Sequence, residues 1–429
     1  MKVFKFGGAS VKDSDAVRNV AAILKNYSND NLVVVVSAMG KTTNALEKVV
    51  AAWHSKSSEI PHNLQEVSDY HEKITQALFP DTTHPIHTGF RTLLAQLQAV
   101  LNKDCPENFD FAYDQVVSYG ELFSTVILNH FLQSEGLKSN LHDARKLIRT
   151  DDNYREGKVD WAETAILINK TLLPIFSMPD KQIVLTQGFI GSDSKGHTTT
   201  LGREGSDYSA AIFAYTLVAD EMIIWKDVPG LLNADPKYFS ITEMLASISY
   251  REAIELSYYG ATIIHPKTLK PLQNKDIPLR VKSFVNPEGE GSLIYHDTSG
   301  DSLIPSFIFK VNQTLLSISP RDFSFIDERN LSEILGIFAR LNIHIHLMQN
   351  SALSFSVCMD NDERRLKQLF EELGHKFKIR YNTGLELITI RHFDQATIDR
   401  VLEDDKTVLL DMRTRLTAQL VVKPAVSNS

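Results

Sequence analysis

Cysteine is nearly absent from this sequence, and the scarcity excludes several kinds of site. The 429 residues include only Cys105 and Cys358, which lie far apart along the chain, and no two of the 14 histidines have the spacing H-x-x-x-H. Such a chain cannot build a disulfide framework or a thiolate zinc site, and its cysteine usage is typical of a cytoplasmic protein with reduced thiols. We therefore expect a cytoplasmic location and no metal held by side chains alone.

Long apolar runs and a surplus of basic residues are also missing. The longest apolar runs, such as residues 32–36, have the length of a strand, and the first residues show no signal-peptide core. The net charge is −8 without any basic block, so no footprint for nucleic acid or for an acidic membrane is present. We expect neither as a partner, whereas a small anionic substrate is allowed if cations are concentrated locally.

The common nucleotide-binding fingerprints are absent too. Gly40-Lys41-Thr42 resembles the end of a Walker A loop, but Val35 stands where that motif requires its first glycine. No G-x-G-x-x-G occurs either. Any phosphate site in this chain therefore needs a different arrangement.

The first two-thirds of the chain alternate short β-branched runs with helical stretches. The run LVVVV at 32–36 is apolar on both faces, as in a parallel strand that helices cover on both sides. This alternation predicts an α/β fold with a mostly parallel central sheet between two layers of helices.

The last third has a different rhythm. A stretch rich in Gly, Pro, Ser and acids at 286–305 predicts a linker. Strand–helix–strand–strand–helix over about 312–375 then predicts a ferredoxin-like α+β unit, and a compressed second copy is expected over about 380–425. We accordingly place one domain at 1–295 and a second region at 306–429. One face of the first helix in that region should be buried, with the apolar residues Leu331, Ile334, Leu335, Phe338 and Leu341.

The turn KFGGAS at 5–10 follows the first predicted strand and carries two adjacent glycines. Gly7 and Gly8 would let backbone N–H groups converge on an anion at a helix N-terminus, and Lys5 would add a cation. Ser10 is the expected N-cap of the following helix. On its own, the turn fits a plain strand–helix connection slightly better than a phosphate site.

The densest polar signal is TTTLGREGSD at 198–207, directly before an apolar helix. Its hydroxyls, glycines and Arg203 combine backbone donors with a planar guanidinium, which suits a carboxylate or a phosphate. Asp207 would hold a lysine or a magnesium-bound water. A hydroxyl-rich capped turn is the simpler alternative, but it would not require Arg203.

Weaker signals accompany these two turns. Glu121 follows a glycine in a helical stretch, where glycine costs about 1 kcal/mol relative to alanine, so close approach of another group is expected. Thr43 follows a predicted strand, and Lys226 and Asp227 follow another, at the edge of the sheet where ligands of open α/β folds bind. A solvated acid, a helix cap and an ordinary turn are the respective alternatives.

In their order along the chain, these motifs resemble the aspartokinases. KFGGAS, SAMGKTTN, SYGE, GFIG, TTTLGREGSD, WKDVPG and YYGATIIHPKT cover about residues 1–295, and the C-terminal region is similar to the paired ACT domains of that family. The resemblance implies an αβα amino-acid-kinase domain that phosphorylates the β-carboxylate of L-aspartate with ATP and Mg²⁺, the first step toward lysine, threonine and methionine. It also implies a homodimer or higher homo-oligomer formed through the ACT region.

The resemblance further implies roles for individual residues. Lys5 and Asp207 would be catalytic. The residues that bind aspartate would be Thr43, Glu121, Arg203 and Ser206. The residues on the nucleotide and phosphate side would be Lys5, Gly7, Gly8, Ser10, Lys226, Asp227, Leu232 and Lys237.

The chain departs from the family pattern at several positions. Threonine, glycine, tyrosine and lysine, respectively, are usual where Ala9, Glu204, Leu232 and Thr262 stand. Lys267 or Lys282 could replace the missing cation. These departures concern nucleotide binding more than recognition of aspartate.

The ACT region differs from that of lysine-binding members. His344, His346 and Ala352 stand where those members tend to have small or acidic residues, which predicts no strong inhibition by lysine.

Two functions are alternatives to an aspartate kinase. They are a kinase for another small carboxylate or carbamate, and a catalytically weak amino-acid sensor. Glu204 and Thr262 motivate the sensor.

Overall fold

A computed structural model describes residues 1–239, 241–261, 264–322, 324–403 and 406–424. Thr262, one of the departures from the family pattern, lies outside these described residues. The chain forms two compact units. The first unit comprises Met1–Leu231, Ala246–Ala253 and Ile264–Thr298, and the second comprises Leu232–Leu245, Ile254–Ile263 and Ser299–Ser429.

The described residues form the following strands and helices. The strands are β1 Lys2–Phe6, β2 Leu32–Val36, β3 Ser139–His142, β4 Ile183–Gln187, β5 Ile190–Ser192, β6 Thr198–Thr200, β7 Glu221–Lys226, β8 Leu231–Leu232, β9 Met244–Leu245, β10 Ser247–Ser249, β11 Leu279–Ser283, β12 Ser292–Tyr295, β13 Ser306–Pro320, β14 Ile345–Asn350, β15 Phe355–Asp360, β16 Phe377–Arg391, β17 Thr407–Arg413 and β18 Thr417–Lys423. The helices are α1 Ser14–Lys25, α2 Thr42–His54, α3 Ile60–Leu78, α4 Pro85–Leu101, α5 Phe109–Val117, α6 Tyr119–Ser134, α7 Trp161–Phe176, α8 Gly205–Leu217, α9 Tyr250–Tyr259, α10 Pro266–Asn274, α11 Glu328–Arg340, α12 Glu363–Leu373 and α13 Gln395–Leu402.

The first unit is built on an eight-stranded sheet in the order β10-β12-β11-β7-β1-β2-β4-β3. Every neighbouring pair is parallel except β11 and β12. All five residues of β2 are buried, as its unbroken β-branched run predicts. The predicted mostly parallel sheet is confirmed, and β1 lies near its centre between β2 and β7.

Helices cover both faces of this sheet, which confirms the predicted three-layer arrangement. Because side chains alternate along a strand, Phe4 and Phe6 point to one face and Lys5 to the other. The two phenylalanines pack with Trp225 and with the apolar faces of α1 and α6. Helix α8 covers the opposite face, where it contacts β1, β2 and β7.

The second unit contains a six-stranded antiparallel sheet in the order β14-β15-β13-β16-β18-β17. Strand β13, α11, β14, β15 and α12 follow each other as the ferredoxin-like pattern predicts, and β16 then begins the compressed second copy with α13, β17 and β18. The predicted α+β architecture of this region is confirmed. Strands β13 and β16 are each 15 residues long and pair with each other along most of their length.

Two local predictions are wrong, and one expected linker contains regular structure. Ser10 does not cap α1, because a 3₁₀ turn at Gly8–Val11 intervenes and Asp13 accepts the capping N–H of Ala16 at 2.8 Å. Leu335, predicted on the buried face of α11, is 37% exposed, whereas Ile337 on the same helix is buried. The stretch 286–305 includes β12, which pairs with β10 and β11.

No helix of the described residues has both the length and the apolar character needed to cross a membrane.

Candidate active site

The glycine turn after β1 fits closely beneath the turn that follows β2. A Cβ on Gly8 would lie 2.8 Å from the carbonyl oxygens of both Ala38 and Gly40, a distance that real Cβ atoms essentially never show. The Gly40 N–H donates to the Gly8 carbonyl at 3.0 Å, which ties the two turns together. The glycine therefore allows two backbone segments to meet at the carboxyl ends of adjacent parallel strands, where ligands of open α/β sheets bind.

Lys5 and Asp207 form a buried ion pair beside this turn. Their Nζ and Oδ1 atoms are 2.6 Å apart, and their side chains are 12% and 5% exposed. Alternation along β1 points Lys5 toward the first turn of α8, which carries Asp207 and the buried Ser206. Gly188 lets the end of β4 approach that turn, since a Cβ there would lie 2.7 Å from the Ser206 Oγ. A cation and the N-terminus of a helix thus meet next to the glycine turn, which favours an anion.

Glu121 is buried in the first turn of α6, and only one of its two carboxylate oxygens has a hydrogen-bond partner among the described residues. Oε1 accepts the Ala38 N–H at 3.2 Å, whereas Oε2 has no hydrogen-bond partner among the described residues. Burial raises the pKa of Glu121 to about 8, and the hydrogen bond from Ala38 opposes this shift. A buried carboxyl with one unpaired oxygen is suited to bind a cationic group.

The glycine before it, Gly120, has the close approach that its place in a helix predicts. A Cβ there would lie 2.9 Å from the Ala38 Cβ and 3.3 Å from the Thr42 Cγ2. Helix α6 therefore packs directly against the turn that joins β2 to α2.

Thr43 and Arg203 line one cavity of about 560 Å³. Thr43 is half-buried in the first turn of α2, and Arg203 is exposed just before α8. The other lining residues are Asp110, Tyr113, Asn153, Tyr154, Arg155, Glu156, Phe189, Thr200 and Gly202. The structure thus brings two of the predicted aspartate-binding residues together in a single cleft.

Glu204, the unexpected acid in the anion turn, supports the neighbouring backbone. It has φ = +52°, a left-handed conformation that few residues other than glycine adopt. Its Oε2 accepts the His265 N–H at 2.8 Å, and the His265 Nδ1 accepts the Lys267 N–H as the cap of α10. Lys267 in turn donates to the Leu201 carbonyl at 3.3 Å. The acid and His265 therefore have structural partners of their own.

The predicted nucleotide residues are divided between the two units. Lys226 ends β7 and Asp227 follows it, next to the Trp225 carbonyl to which Ser10 donates at 3.5 Å. Lys282 on β11 places its ammonium 5.4 Å from the Trp225 ring, in the same part of the first unit. Leu232 and Lys237 belong to the second unit, where Lys237 is exposed and its N–H donates to Asp235.

The cleft also contains residues that the motifs did not indicate. Helix α5 directs Asp110, Tyr113 and Asp114 toward a loop that carries Arg155. Asp114 is fully buried, and burial raises its pKa to about 6 against its hydrogen bonds with Arg155 and Thr200. The three residues have the spacing i, i+3, i+4 of one helix face, which is the only sequence signal that could have found them.

Three comparisons with known proteins show the family to which the chain belongs. The model of the amino acid kinase family matches residues 1–283. The lysine-sensitive aspartokinase 3 of Escherichia coli (strain K12) is 33% identical over 397 residues, which are 90% of this chain and 86% of that protein. The crystal structure of E. coli aspartokinase III in complex with aspartate and ADP, in its R-state, superimposes with a TM-score of 0.80 at 30% identity, over 98% of this chain and 96% of that one.

A second crystal structure of E. coli aspartokinase III, in complex with lysine and aspartate in the T-state, has a TM-score of 0.81 at 30% identity and covers 99% of this chain and 96% of its own. The chain belongs to the amino acid kinase family and, within it, to the aspartokinases. The resemblance found in the sequence is confirmed, and so is the prediction that the chain is an enzyme.

Proposed function

We propose that the chain transfers the γ-phosphoryl group of ATP to the β-carboxylate of L-aspartate, which yields 4-phospho-L-aspartate and ADP. This reaction is the first step toward lysine, threonine and methionine. The observation that carries the proposal is a pair of complementary features in the first unit. A cation and a glycine turn form an anion cradle, and Glu121 offers a buried carboxyl oxygen without a partner in the described structure.

Three residues recognise aspartate as an α-amino acid. Glu121 pairs with its ammonium, and Arg203 takes its α-carboxylate through a bidentate contact. Thr43, on the wall of the same cleft as Arg203, donates a hydroxyl to the substrate. This clamp leaves the β-carboxylate to point toward the phosphate end of the site.

The attacking carboxylate needs no general base, since its ordinary pKa of about 3.9 leaves it ionised at neutral pH. The work of the enzyme is to position two anions that repel each other and to neutralise the charge on the transferred group. Lys5 contacts that group, and Asp207 holds the lysine in place through their 2.6 Å ion pair. Ser206 and the backbone of Gly7 and Gly8 complete the cradle.

The nucleotide lies on the side of Ser10, Lys226 and Asp227 in the first unit. No group of three His, Cys, Asp or Glu side chains in the described part of the chain could hold a metal ion. The Mg²⁺ expected with ATP usually keeps several waters and is bound through substrate phosphates and one or two carboxylates. Asp207 would contact it through water, and the bound ion would neutralise phosphate charge.

We further propose that the second unit associates with a second copy of the chain through its ACT region. Lysine is not expected to be a strong effector, because the position of His346 is already engaged. Its Nδ1 lies 2.8 Å from the Lys310 Nζ and its Nε2 lies 3.0 Å from an Asp360 carboxylate oxygen. A lysine ligand would need unengaged acids there to meet its ammonium groups.

A direct assay tests the reaction. Purified protein is incubated with ATP, Mg²⁺ and L-aspartate, and hydroxylamine traps the acyl phosphate as aspartyl hydroxamate. We expect hydroxamate from the natural chain and none from Lys5→Ala, because that variant removes the cation at the transferred group. Lys73→Ala, an exposed change on α3, is the matched control and should keep full activity.

The assay also separates the alternatives. Hydroxamate from another small acid but none from aspartate at millimolar concentration would indicate a different kinase. Binding of aspartate, measured by calorimetry, without any hydroxamate would indicate an amino-acid sensor. Either result would overturn the proposal.

A further inference from the structure

Arg155 holds a conformation that costs free energy and that three side chains maintain. Its φ is +66°, in the left-handed region that residues with a Cβ rarely adopt. Strained backbone of this kind clusters at functional sites and persists where surrounding contacts over-determine it. The contacts around Arg155 come from one face of α5.

The innermost of these contacts is Asp114. One carboxylate oxygen accepts the N–H groups of Arg155 and Thr200, both at 2.9 Å, and the other accepts the Thr200 hydroxyl at 2.7 Å. Asp114 is completely buried, so its carboxylate joins the Arg155 loop to β6, two residues before Gly202. A fully buried acid with three donors from two segments is a rigid connection.

The other two contacts hold the guanidinium. The Arg155 Cζ lies 4.4 Å from the centre of the Tyr113 ring, and its Nη1 lies 3.3 Å from the Asp110 carboxylate. The ion pair is about half exposed, with side-chain exposures of 46% and 55%. Exposed pairs of this kind contribute little stability, so the guanidinium can exchange Asp110 for another carboxylate.

The loop closes directly against the turn that carries Arg203. A Cβ on Gly202 would lie 3.2 Å from the Arg155 carbonyl oxygen, and Gly202 itself has φ = +75°. Arg155 lines the same 560 Å³ cavity as Thr43 and Arg203, whereas none of the residues assigned to the nucleotide lines it. The second guanidinium therefore belongs to the aspartate end of the site.

We propose that Arg155 is a further substrate-binding residue, which joins Arg203 in binding the α-carboxylate of aspartate, and that Asp114 is the positioning residue that holds its loop in place. The inference rests on the proposed function and adds a specificity determinant to it. The guanidinium leaves Asp110 when the substrate carboxylate enters. Removing the Arg155 guanidinium weakens aspartate binding without changing the phosphoryl-transfer step.

The kinetic test uses Arg155→Ala, Arg155→Lys and the control Arg91→Ala, an exposed change on α4 outside the cleft. Arg155→Ala should raise the KM for aspartate about tenfold, as expected for a lost charge-assisted hydrogen bond, with kcat and the KM for ATP within about twofold. Arg155→Lys should be intermediate, because it keeps the charge but not the bidentate geometry. An unchanged KM for aspartate in Arg155→Ala would overturn the inference.

A binding experiment shows which carboxylate is involved. Calorimetry compares L-aspartate with L-aspartate α-amide, which lacks only the α-carboxylate charge. Arg155→Ala should weaken binding of L-aspartate about tenfold and leave binding of the amide within about twofold, since the lost partner is absent from the amide. Equal losses for both ligands would contradict the assignment. If the natural chain binds aspartate but does not phosphorylate it, the proposed function fails while this binding test still stands.

Asp114 is tested by its coupling to Arg155. Asp114→Ala should raise the KM for aspartate, and the double variant with Arg155→Ala should be no worse than Arg155→Ala alone, because both changes remove the same contact. Asp114→Asn keeps an acceptor for the two N–H groups and should restore the natural KM. Additive effects would show that Asp114 acts only on the fold. If Asp114→Ala does not fold, Asp114→Asn and the Arg155 variants still decide the question.

Discussion

Burial changes the acidity of Glu121, the residue proposed above to bind the ammonium of aspartate. Its pKa is raised to about 8 because the side chain is buried and, among the described residues, only one of its oxygens accepts a hydrogen bond. The carboxyl is therefore largely protonated at neutral pH. The ammonium of aspartate would provide the missing partner and favour ionisation, so we expect substrate binding to release a proton.

The first prediction is that catalytic efficiency depends on this ionisation. Below about pH 8, kcat/KM for aspartate should rise up to about tenfold per pH unit, since the free enzyme must lose the Glu121 proton to bind the ammonium. Glu121→Gln keeps an acceptor for Ala38 but cannot ionise. It should lower kcat/KM by about 30- to 100-fold, the value of a lost hydrogen bond to a charge, and flatten this part of the profile. Initial rates between pH 6 and 9 measure both effects.

The raised pKa of Glu121 also makes the stability of the folded chain depend on pH, in the direction opposite to that of kcat/KM. The Glu121 pKa rises from 4.5 to about 8 on folding, so the folded state binds the extra proton and stability without substrate falls as the pH rises through this interval. Glu121→Gln should remove that fall and raise the Tm at pH 8. Glu66→Gln, an exposed change on α3, is the control for both measurements. A pH profile of kcat/KM in Glu121→Gln that matches the natural one would contradict the role.

At the residue scale, the motifs indicated which residues could form the site, but they did not indicate all the contacts that these residues make. The sequence indicated Lys5, Glu121 and Arg203, because their residue types beside glycines at strand and helix ends are informative. It could not show that Ser10 loses the cap of α1 to Asp13, since both residues satisfy the local rule for a cap. It also could not indicate Arg155, whose partners are about 40 residues away and meet it only in the folded chain.

At the scale of single elements, α6 depends on a glycine that a helix would normally avoid. Replacing Gly120 with alanine should add about 1 kcal/mol of helix propensity. The new Cβ would lie 2.9 Å from the Ala38 Cβ, and such overpacking costs about 1–3 kcal/mol. The steric cost is the larger effect, and the displaced Ala38 is the residue whose N–H binds Glu121.

The prediction is therefore a contrast between two glycines in neighbouring helices. Gly120→Ala should lower the free energy of unfolding by up to about 2 kcal/mol and raise the KM for aspartate. Gly89→Ala on α4 would place its Cβ 3.7 Å from Val126, an ordinary contact, and should stabilise the chain by about 0.5–1 kcal/mol. Denaturant titrations of both variants measure the difference. A stabilising Gly120→Ala would show that the turn at Ala38 yields easily.

Elements with a strong local pattern were predictable from the sequence, and those defined by long-range pairing were not. The apolar runs of β2 and β4 and the spacing of α8 carry their own signal. Strands β13 and β16 each extend over 15 residues, because each one pairs with two partners along its length. Strand β12, inside the stretch expected to be a linker, is likewise defined by its neighbours β10 and β11.

At the scale of the whole molecule, the second unit presents apolar side chains at one edge of its sheet. Strand β14 is an edge strand and carries Met348, which is 54% exposed. Phe325 and Leu353 are 72% and 50% exposed, and they flank the hydrogen bond from the Ile326 N–H to the Ala352 carbonyl. Exposed apolar residues grouped beside an unpaired strand edge are typical of a surface that another chain covers.

The last prediction concerns this surface and the proposed self-association. Leu353→Asp and Met348→Glu should each convert the homo-oligomer into a monomer, because a buried unpaired charge at an apolar interface is strongly unfavourable. Ile166→Asp, which changes an apolar residue on α7 of the first unit that is 65% exposed, should leave the oligomer intact. Light scattering coupled to size-exclusion chromatography measures the mass of each variant. Leu353→Asp and Met348→Glu variants that stay oligomeric, or a natural chain that is monomeric at micromolar concentration, would exclude this edge as the interface.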